Sequence, residues 1–356
     1  VIGGAYPTLC TYHFELCTKQ QGDVLLTQQE ITLLNLGSSL DDIANIDPRG
    51  YGVCKLLYND AREYTGYPLC LNAAKKLVEA VKENDTVFIM TGFVLMPFNK
   101  AETDGVISSF LLAKALKSAF GAKPVIICPE DCVSAVPYLA ECVGLEDIKA
   151  EVFTKDKAKT AENADRLIAE YRPKAVISIE CPGENENGAY HSARGIDVTE
   201  VEAKQDILFD KLKEKGILNI AIGDLGNEIG MGAIENTVKE KIPLGDKICV
   251  RTKADNIITA TVSDWGCYAL IAMLAYLLGS IDLMHGAELQ KKTMEAAAKG
   301  GLIDMTGKAI PAIDGFGTEL ICAQVTVMKE LVKNTLALKE TCKPHFDEII
   351  KLKSFE

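Results

Sequence analysis

The sequence predicts an α/β fold with a mostly parallel sheet of about five or more strands, covered by helices on both faces. Three observations carry this. Short apolar runs rich in β-branched residues alternate with helix-length segments. The runs are apolar throughout rather than alternating, as strands buried on both faces are. Each run also gives way to a loop carrying acids or other polar residues, the place where open parallel sheets bind ligands.

Taken in order, Thr27–Leu36 is expected to be helical after a Gly22-Asp23 turn. Asp47-Pro48-Arg49-Gly50 reads as a turn. Asn72–Lys82 is an amphipathic helix with Ala73, Leu77, Val78 and Val81 on one face. Thr86–Met90 is the first strand and runs into Thr91-Gly92-Phe93. Helix Val106–Phe120 stops at Gly121, a residue suited to a helix C-terminus. Pro124–Cys128 is a strand, followed by Glu130 and Asp131, and helices are expected over Val133–Cys142 and Asp156–Tyr171. Strand Ala175–Ile179 ends at Glu180. A long polar loop follows, then helix Val201–Lys215 with Gly216 as its stop. Strand Leu218–Ile222 leads to a helix at about Met231–Lys239. Strand Ile257–Val262 ends in Ser263-Asp264-Trp265-Gly266 before helix Cys267–Leu278. By this reading the chain comprises a helical lead-in over 1–84, an α/β domain over 85–340 and a C-terminal helix over 341–356. A glycine-rich loop, Ala309–Gly317, carries one buried-looking acid, Asp314.

The densest stretch is Asn219–Gly232, NIAIGDLGNEIGMG. Four glycines, two acids and an amide follow the end of a strand. Glycines let backbone turn sharply and approach a ligand. The spacing is not GxGxxG, and no basic residue is present for a phosphate cradle. The acids of the strand ends, Glu102/Asp104, Glu130/Asp131, Glu180, Asp224/Glu228 and Asp264, are expected to converge on one edge of the sheet.

The formal net charge of −12 argues against a nucleic-acid partner. No apolar run reaches the roughly 18 residues of a membrane span. No secretory pattern is visible, and the twelve cysteines lie scattered, often within apolar runs and without a CxxC pair. Reduced buried thiols in a cytoplasmic protein are therefore expected. A homo-oligomer is the default for a soluble enzyme.

Several segments stand together in a telling order: Glu102-Thr103-Asp104-Gly105, Ser178-Ile179-Glu180 with Pro182-Gly183, Asn187-Gly188-Ala189-Tyr190-His191, Gly223-Asp224 with Gly226–Gly232, and Val262–Gly266 with Tyr268-Ala269-Leu270. They resemble the carboxyl-terminal domain family of D-glutamate cyclase, which also occurs as stand-alone bacterial proteins of unknown function. The likeness covers roughly residues 40–335, with Asp47 and Arg49-Gly50 as its leading turn. It implies a lyase reaction, D-glutamate to 5-oxo-D-proline and water, most directly for two-domain members. Leu225 departs from the pattern at a position where glycine is usual. Cys181 and Glu184 stand in a segment where arginine is common, which points towards another substrate.

Cyclisation needs a general base for the α-amine and a general acid for the departing oxygen. The carboxylate under attack needs polarising. The catalytic candidates are Glu102, Asp104, Glu180, His191, Asp224 and Glu228. Asp104, Asp224 and Glu228 are the expected metal ligands, of a kind suited to Mg²⁺ or Mn²⁺. Arg49, Gly92, Tyr190, Arg194, Asn227 and Asp264 are the expected contacts of a small amino acid or lactam. Asp104 and Asp264 could equally cap the helices that follow them. Two other readings fit the same residues: a metal-dependent hydrolase of another small molecule, and a non-catalytic sensor of a small acid.

Overall fold

The computed structural model describes residues 27–338. The expected C-terminal helix over 341–356 lies outside the described residues. Three helices lead in: α1 (Gln28–Ala44), α2 (Val53–Thr65) and α3 (Leu69–Ala80). Six strands then form one sheet: β1 (Thr86–Thr91), β2 (Lys123–Cys128), β3 (Lys149–Val152), β4 (Ala175–Ile179), β5 (Leu218–Gly223) and β6 (Asn256–Thr259). The order across the sheet is β3-β2-β1-β4-β5-β6, and every neighbouring pair is parallel. This is a doubly wound arrangement whose strand order reverses beside β1, where it opens a crevice beyond the strand ends.

The connecting helices are α4 (Val106–Phe120), α5 (Val136–Val143), α6 (Thr160–Tyr171), α7 (Gln205–Glu214), α8 (Glu235–Lys241) and the single turn α9 (Gly245–Ile248). After β6 come α10 (Ser263–Leu277), α11 (Ala287–Lys299) and α12 (Thr318–Leu338). Right-handed crossovers put α4 and α7 on opposite faces, since the chain moves in opposite directions across the sheet after β1 and after β4. Helix α10 is buried from Ser263 to Tyr276 and packs against α1, α3, α4 and α12. One continuous apolar core runs from Leu36 and Leu40 through the central strands to Val332. None of the described helices is long and apolar enough to cross a membrane. The nine described cysteines are all free thiols, and seven are buried.

Several boundaries differ from expectation for physical reasons. Strand β3 was not anticipated. Its Lys149-Ala150-Glu151-Val152 is mostly exposed at the sheet edge, where charged residues discourage further pairing. The segment before α5 forms a 3-10 turn (Glu130–Ala135), and the α-helix waits for Pro137 near its start. Helix α7 begins at Gln205, later than expected, and α8 follows a 3-10 turn at Gly232–Ile234. Helix α10 begins earlier, at Ser263, because a carboxylate from another strand end caps it.

Asp41 shows how the lead-in is fastened. Its carboxylate accepts the amides of Leu69 (2.6 Å) and Cys70 (3.0 Å) at the start of α3. Burial pushes its pKa up from 3.8 to about 6, even though these amides favour the charged form. A folded value above the unfolded one means that Asp41 contributes stability in full below about 3.8. That contribution is lost as pH rises through about 6. Asp41→Asn is therefore expected to flatten the stability profile across this window. The difference between variant and wild type should change by about 3 kcal/mol between pH 3.5 and 7, read by urea denaturation.

Candidate functional site

The register of the sheet assembles the site. Thr91 of β1 pairs with Ile179 of β4, and Ile179 pairs with Ile222 of β5. Three strands thus end at one level. Glu180 follows β4 directly, Asp224 follows β5 directly, and Asp104 returns to this edge after the small hairpin Val94–Leu95/Lys100–Ala101. Carboxylate oxygens of Asp104, Glu180 and Asp224 lie within 4.8 Å of one another. All three residues are buried.

Asp104 and Asp264 cap each other's helices. Asp104 accepts the amides of Ser263 (3.1 Å) and Asp264 (2.8 Å) at the start of α10. Asp264 accepts the amides of Gly105 (2.9 Å) and Ser108 (3.2 Å) at the start of α4. Its other oxygen takes the Tyr268 hydroxyl at 3.0 Å. Each helix start is stabilised by the acid that belongs to the other. Asp264, expected to touch substrate, is fully enclosed and its oxygens are committed to these bonds.

Glu180 sits at φ 45°, an uncommon conformation for a residue with a side chain, and its Oε2 accepts the Ser263 hydroxyl at 2.6 Å. Asp224 is 4% exposed, and its Oδ1 has no hydrogen-bond partner. Glu102 is 7% exposed, and no described residue hydrogen-bonds its carboxyl. Burial, then neighbouring carboxylates, hold Glu102, Asp104, Glu180 and Asp224 well above the usual carboxylate range. The strongest such neighbour is Asp104 for Glu102, Asp264 for Asp104, Glu228 for Glu180, and Glu180 for Asp224. Two unit charges at such a separation repel by about 3 kcal/mol at an effective dielectric of about 20. Three ionised acids here need either shared protons or a cation.

Glu228, expected among the metal ligands, is turned inward. Its oxygens accept the amides of Leu225 (2.9 Å) and Gly226 (2.8 Å), which closes the glycine-rich loop on itself. Glu180 completes the trio in its place. Arg49 pairs with Asp314 and feels the charge of the acids beyond it. Burial disfavours its charge, but Asp314, then Asp224 and Asp104, more than offset this and raise its pKa.

The remaining expected contacts lie elsewhere. Tyr190 is wholly buried and donates to Asp206 at 2.5 Å, which ties its loop to the start of α7. His191 lies beside Asn185, Lys247 and Asp197, and burial, then Lys247, lowers its pKa. Asn227 donates to the His191 carbonyl at 3.2 Å. Arg194 is exposed on the same loop. Gly92 packs against Pro129 and Cys132. Glu130 and Asp131 diverge from the acids, and Asp131 pairs with Lys155 at 2.5 Å.

Cys181 is buried, while Glu184 pairs with Arg251 (2.6 Å) and Lys157 (3.1 Å). Ser263, Asp304 and Asp314 belong to the site's surroundings but were not among the expected residues. The Asp-Gly pair at 314–315 was the available signal, since it favours a tight hairpin turn. A surface cavity of about 710 Å³ lies between Glu130, Phe153, Lys155 and Arg166, and none of Asp104, Glu180 and Asp224 lines it. Its acids Glu130, Asp156 and Glu162 share the groove with Lys155, Lys159 and Arg166, so the candidate site rests on the buried cluster.

The chain is 27% identical over 281 residues to human "D-glutamate cyclase, mitochondrial". That alignment takes in 73% of this chain and 42% of the human protein, so the chain matches less than half the length of this relative. A sequence profile described as "D-glutamate cyclase-like, C-terminal" matches residues 40–331, a span that includes the end of α1, all of α2 and α3, and every acid of the cluster. The chain belongs to the D-glutamate cyclase-like C-terminal family.

Proposed function

We propose that the chain is a lyase of the D-glutamate cyclase type, assisted by a divalent cation held by Asp104, Glu180 and Asp224. The observation that carries the reading is the unpartnered Asp224 Oδ1, buried within a trio of carboxylates. An all-oxygen, triply anionic donor set suits Mg²⁺ or Mn²⁺. Such an ion, when bound, polarises a substrate carboxyl.

In the cyclisation the α-amine nitrogen bonds to the γ-carboxyl carbon, and one carboxyl oxygen leaves as water. Counted from ammonium and carboxylate, the nitrogen gives up two protons and the departing oxygen gains two, leaving an amide N–H and water. Glu102 is assigned this proton traffic because it borders the trio and its carboxyl is free of protein partners. Arg49 is assigned the substrate's remaining carboxylate, which the acids alone would repel. The human relative's name supports the reaction class.

Real-time NMR of D-glutamate and 5-oxo-D-proline, with Mn²⁺ and then with EDTA, tests the proposal. Interconversion that stops with EDTA is expected. Its absence with Mn²⁺ present and the fold intact overturns the cyclase reading. One observation favours a hydrolase of another small molecule instead. Cys181 and Glu184 offer no positive charge in the segment where arginine is common in the family, and Glu184 is instead paired with Arg251 and Lys157. A turnover screen of lactams and phosphate esters checks this second reading, and a screen in which none reacts counts against it.

Ser263→Ala removes the hydroxyl that orients Glu180. Mn²⁺ affinity should fall about 10- to 100-fold, as when other outer partners of metal ligands are lost. Mn²⁺ titration followed by electron paramagnetic resonance reads this directly, and thermal melting should stay close to wild type.

A further inference from the structure

We propose that Arg49 and Asp314 form a specificity-setting pair, in which Asp314 is the resident carboxylate that an anionic substrate group must outcompete for the arginine. The proposal deepens the reading of the acid cluster as a substrate site and rests on it.

Arg49 is presented by a stiff turn. The Asp47 carboxylate accepts the amides of Gly50 (2.9 Å) and Gly52 (2.7 Å). The guanidinium lies 4.8 Å from the Phe316 ring centre, and Phe316 leans on buried Trp265 at 5.3 Å. Trp265 directly follows Asp264 in the first turn of α10, so this platform continues the wall of the site. Among the described residues only Nη2 is bonded to protein. It donates to the Asp314 carbonyl at 2.5 Å and to the Asp314 carboxylate. Nε and Nη1 have no partner among the described residues, which leaves donors for a second, incoming anion.

Asp314 is held as firmly as its partner. It forms a two-residue turn with Gly315, with φ of 52° and 83°, between Ala312–Ile313 and Phe316–Gly317. The Gly315 amide donates to buried Asp304 at 2.7 Å. The pair borders the cluster, since Arg49 feels Asp224 and Asp104 while Asp314 acts on Glu102, Asp104 and Asp224. A ligand carboxylate binding two guanidinium nitrogens through Nη2 competes with Asp314 for that nitrogen. A neutral ligand meets no such contest.

Isothermal titration of the Mn²⁺-loaded protein with D-glutamate, 5-oxo-D-proline and uncharged 2-pyrrolidinone tests this. Asp314→Asn should tighten both carboxylates about tenfold and leave 2-pyrrolidinone unchanged. Asn tolerates the left-handed backbone. Asp314→Gly, which suits it better still, should behave alike and covers a folding failure of the first variant. Arg49→Gln should weaken both carboxylates at least about tenfold.

The proposal is overturned if Asp314→Asn or Asp314→Gly, melting like wild type, binds carboxylates no tighter. Absence of carboxylate binding to wild type and variants alike also overturns it. Turnover is measured on the same samples. The expected binding pattern without turnover keeps the pair and removes the cyclase reading. Turnover with a flat binding pattern does the reverse.

Discussion

Asp224→Asn is expected to abolish Mn²⁺ binding and lower kcat/KM at least about a thousandfold, while making the metal-free protein more stable. The loss follows from the trio. Asp224 supplies one of three carboxylates within 4.8 Å, and its Oδ1 has no protein partner. A cation that stabilises transition-state charge by several kcal/mol is worth about three orders of magnitude in rate. The gain in stability has the same origin. Without a cation, ionisation of Asp224 is opposed first by burial and then by Glu180 and Glu228, which raises its pKa. A neutral amide of nearly the same shape removes that repulsion. The melting temperature in EDTA should rise about 2–5 °C. In Mn²⁺ the order should reverse, because only the wild type gains from ligand binding. Calorimetric melts in EDTA and in Mn²⁺ read both effects. Equal shifts of wild type and variant on adding Mn²⁺ would remove Asp224 from the ligand set.

How much of this was legible beforehand depended on whether a feature is local. Buried strands such as Ala175–Ile179 announce themselves by composition, and the acids that follow them mark the ligand edge. Edge strand β3 was hidden because an edge tolerates the charges that a buried strand excludes. Helix α2 carries Cys54, Leu57 and Ala61 at helical spacing, a pattern present in the sequence but unread amid its charged residues. The start of α10 could not be read locally, because its cap is Asp104, 160 residues from Asp264. The choice between Glu180 and Glu228 was likewise non-local. Both acids follow strands, but Glu228 finds amides within its own loop, whereas Glu180 is held by Ser263 from a third strand end. Arg49 and Asp314 are separated by 265 residues, so neither predicts the other.

Gly230→Ala should destabilise the protein by about 2–5 kcal/mol and loosen the site with it. Gly230 has φ +94°, and a Cβ built there would stand 2.3 Å from Ala221 Cβ and 2.8 Å from Ala254 Cβ. Ala221 belongs to β5, the strand that delivers Asp224. Gly230 is therefore where the acidic loop rests on its own strand, with its carbonyl accepting the Ala254 amide at 3.2 Å. A methyl group adds left-handed strain of about 1–2 kcal/mol and overpacking of about 1–3 kcal/mol. The two strand-side contacts are β-carbons fixed to backbone, so relief requires the loop to lift. Lifting disturbs the Glu228 bonds to Leu225 and Gly226, and with them the placement of Asp224. Mn²⁺ affinity should fall along with stability. Gly216→Ala separates the two causes, because Gly216 has φ +70° with nothing within 4 Å of an added Cβ. That variant should lose only the backbone contribution, about 1 kcal/mol, with Mn²⁺ binding unchanged. Urea denaturation of both variants decides the matter. Equal losses would mean that backbone conformation alone demands glycine at 230, and that the loop does not depend on close contact with β5.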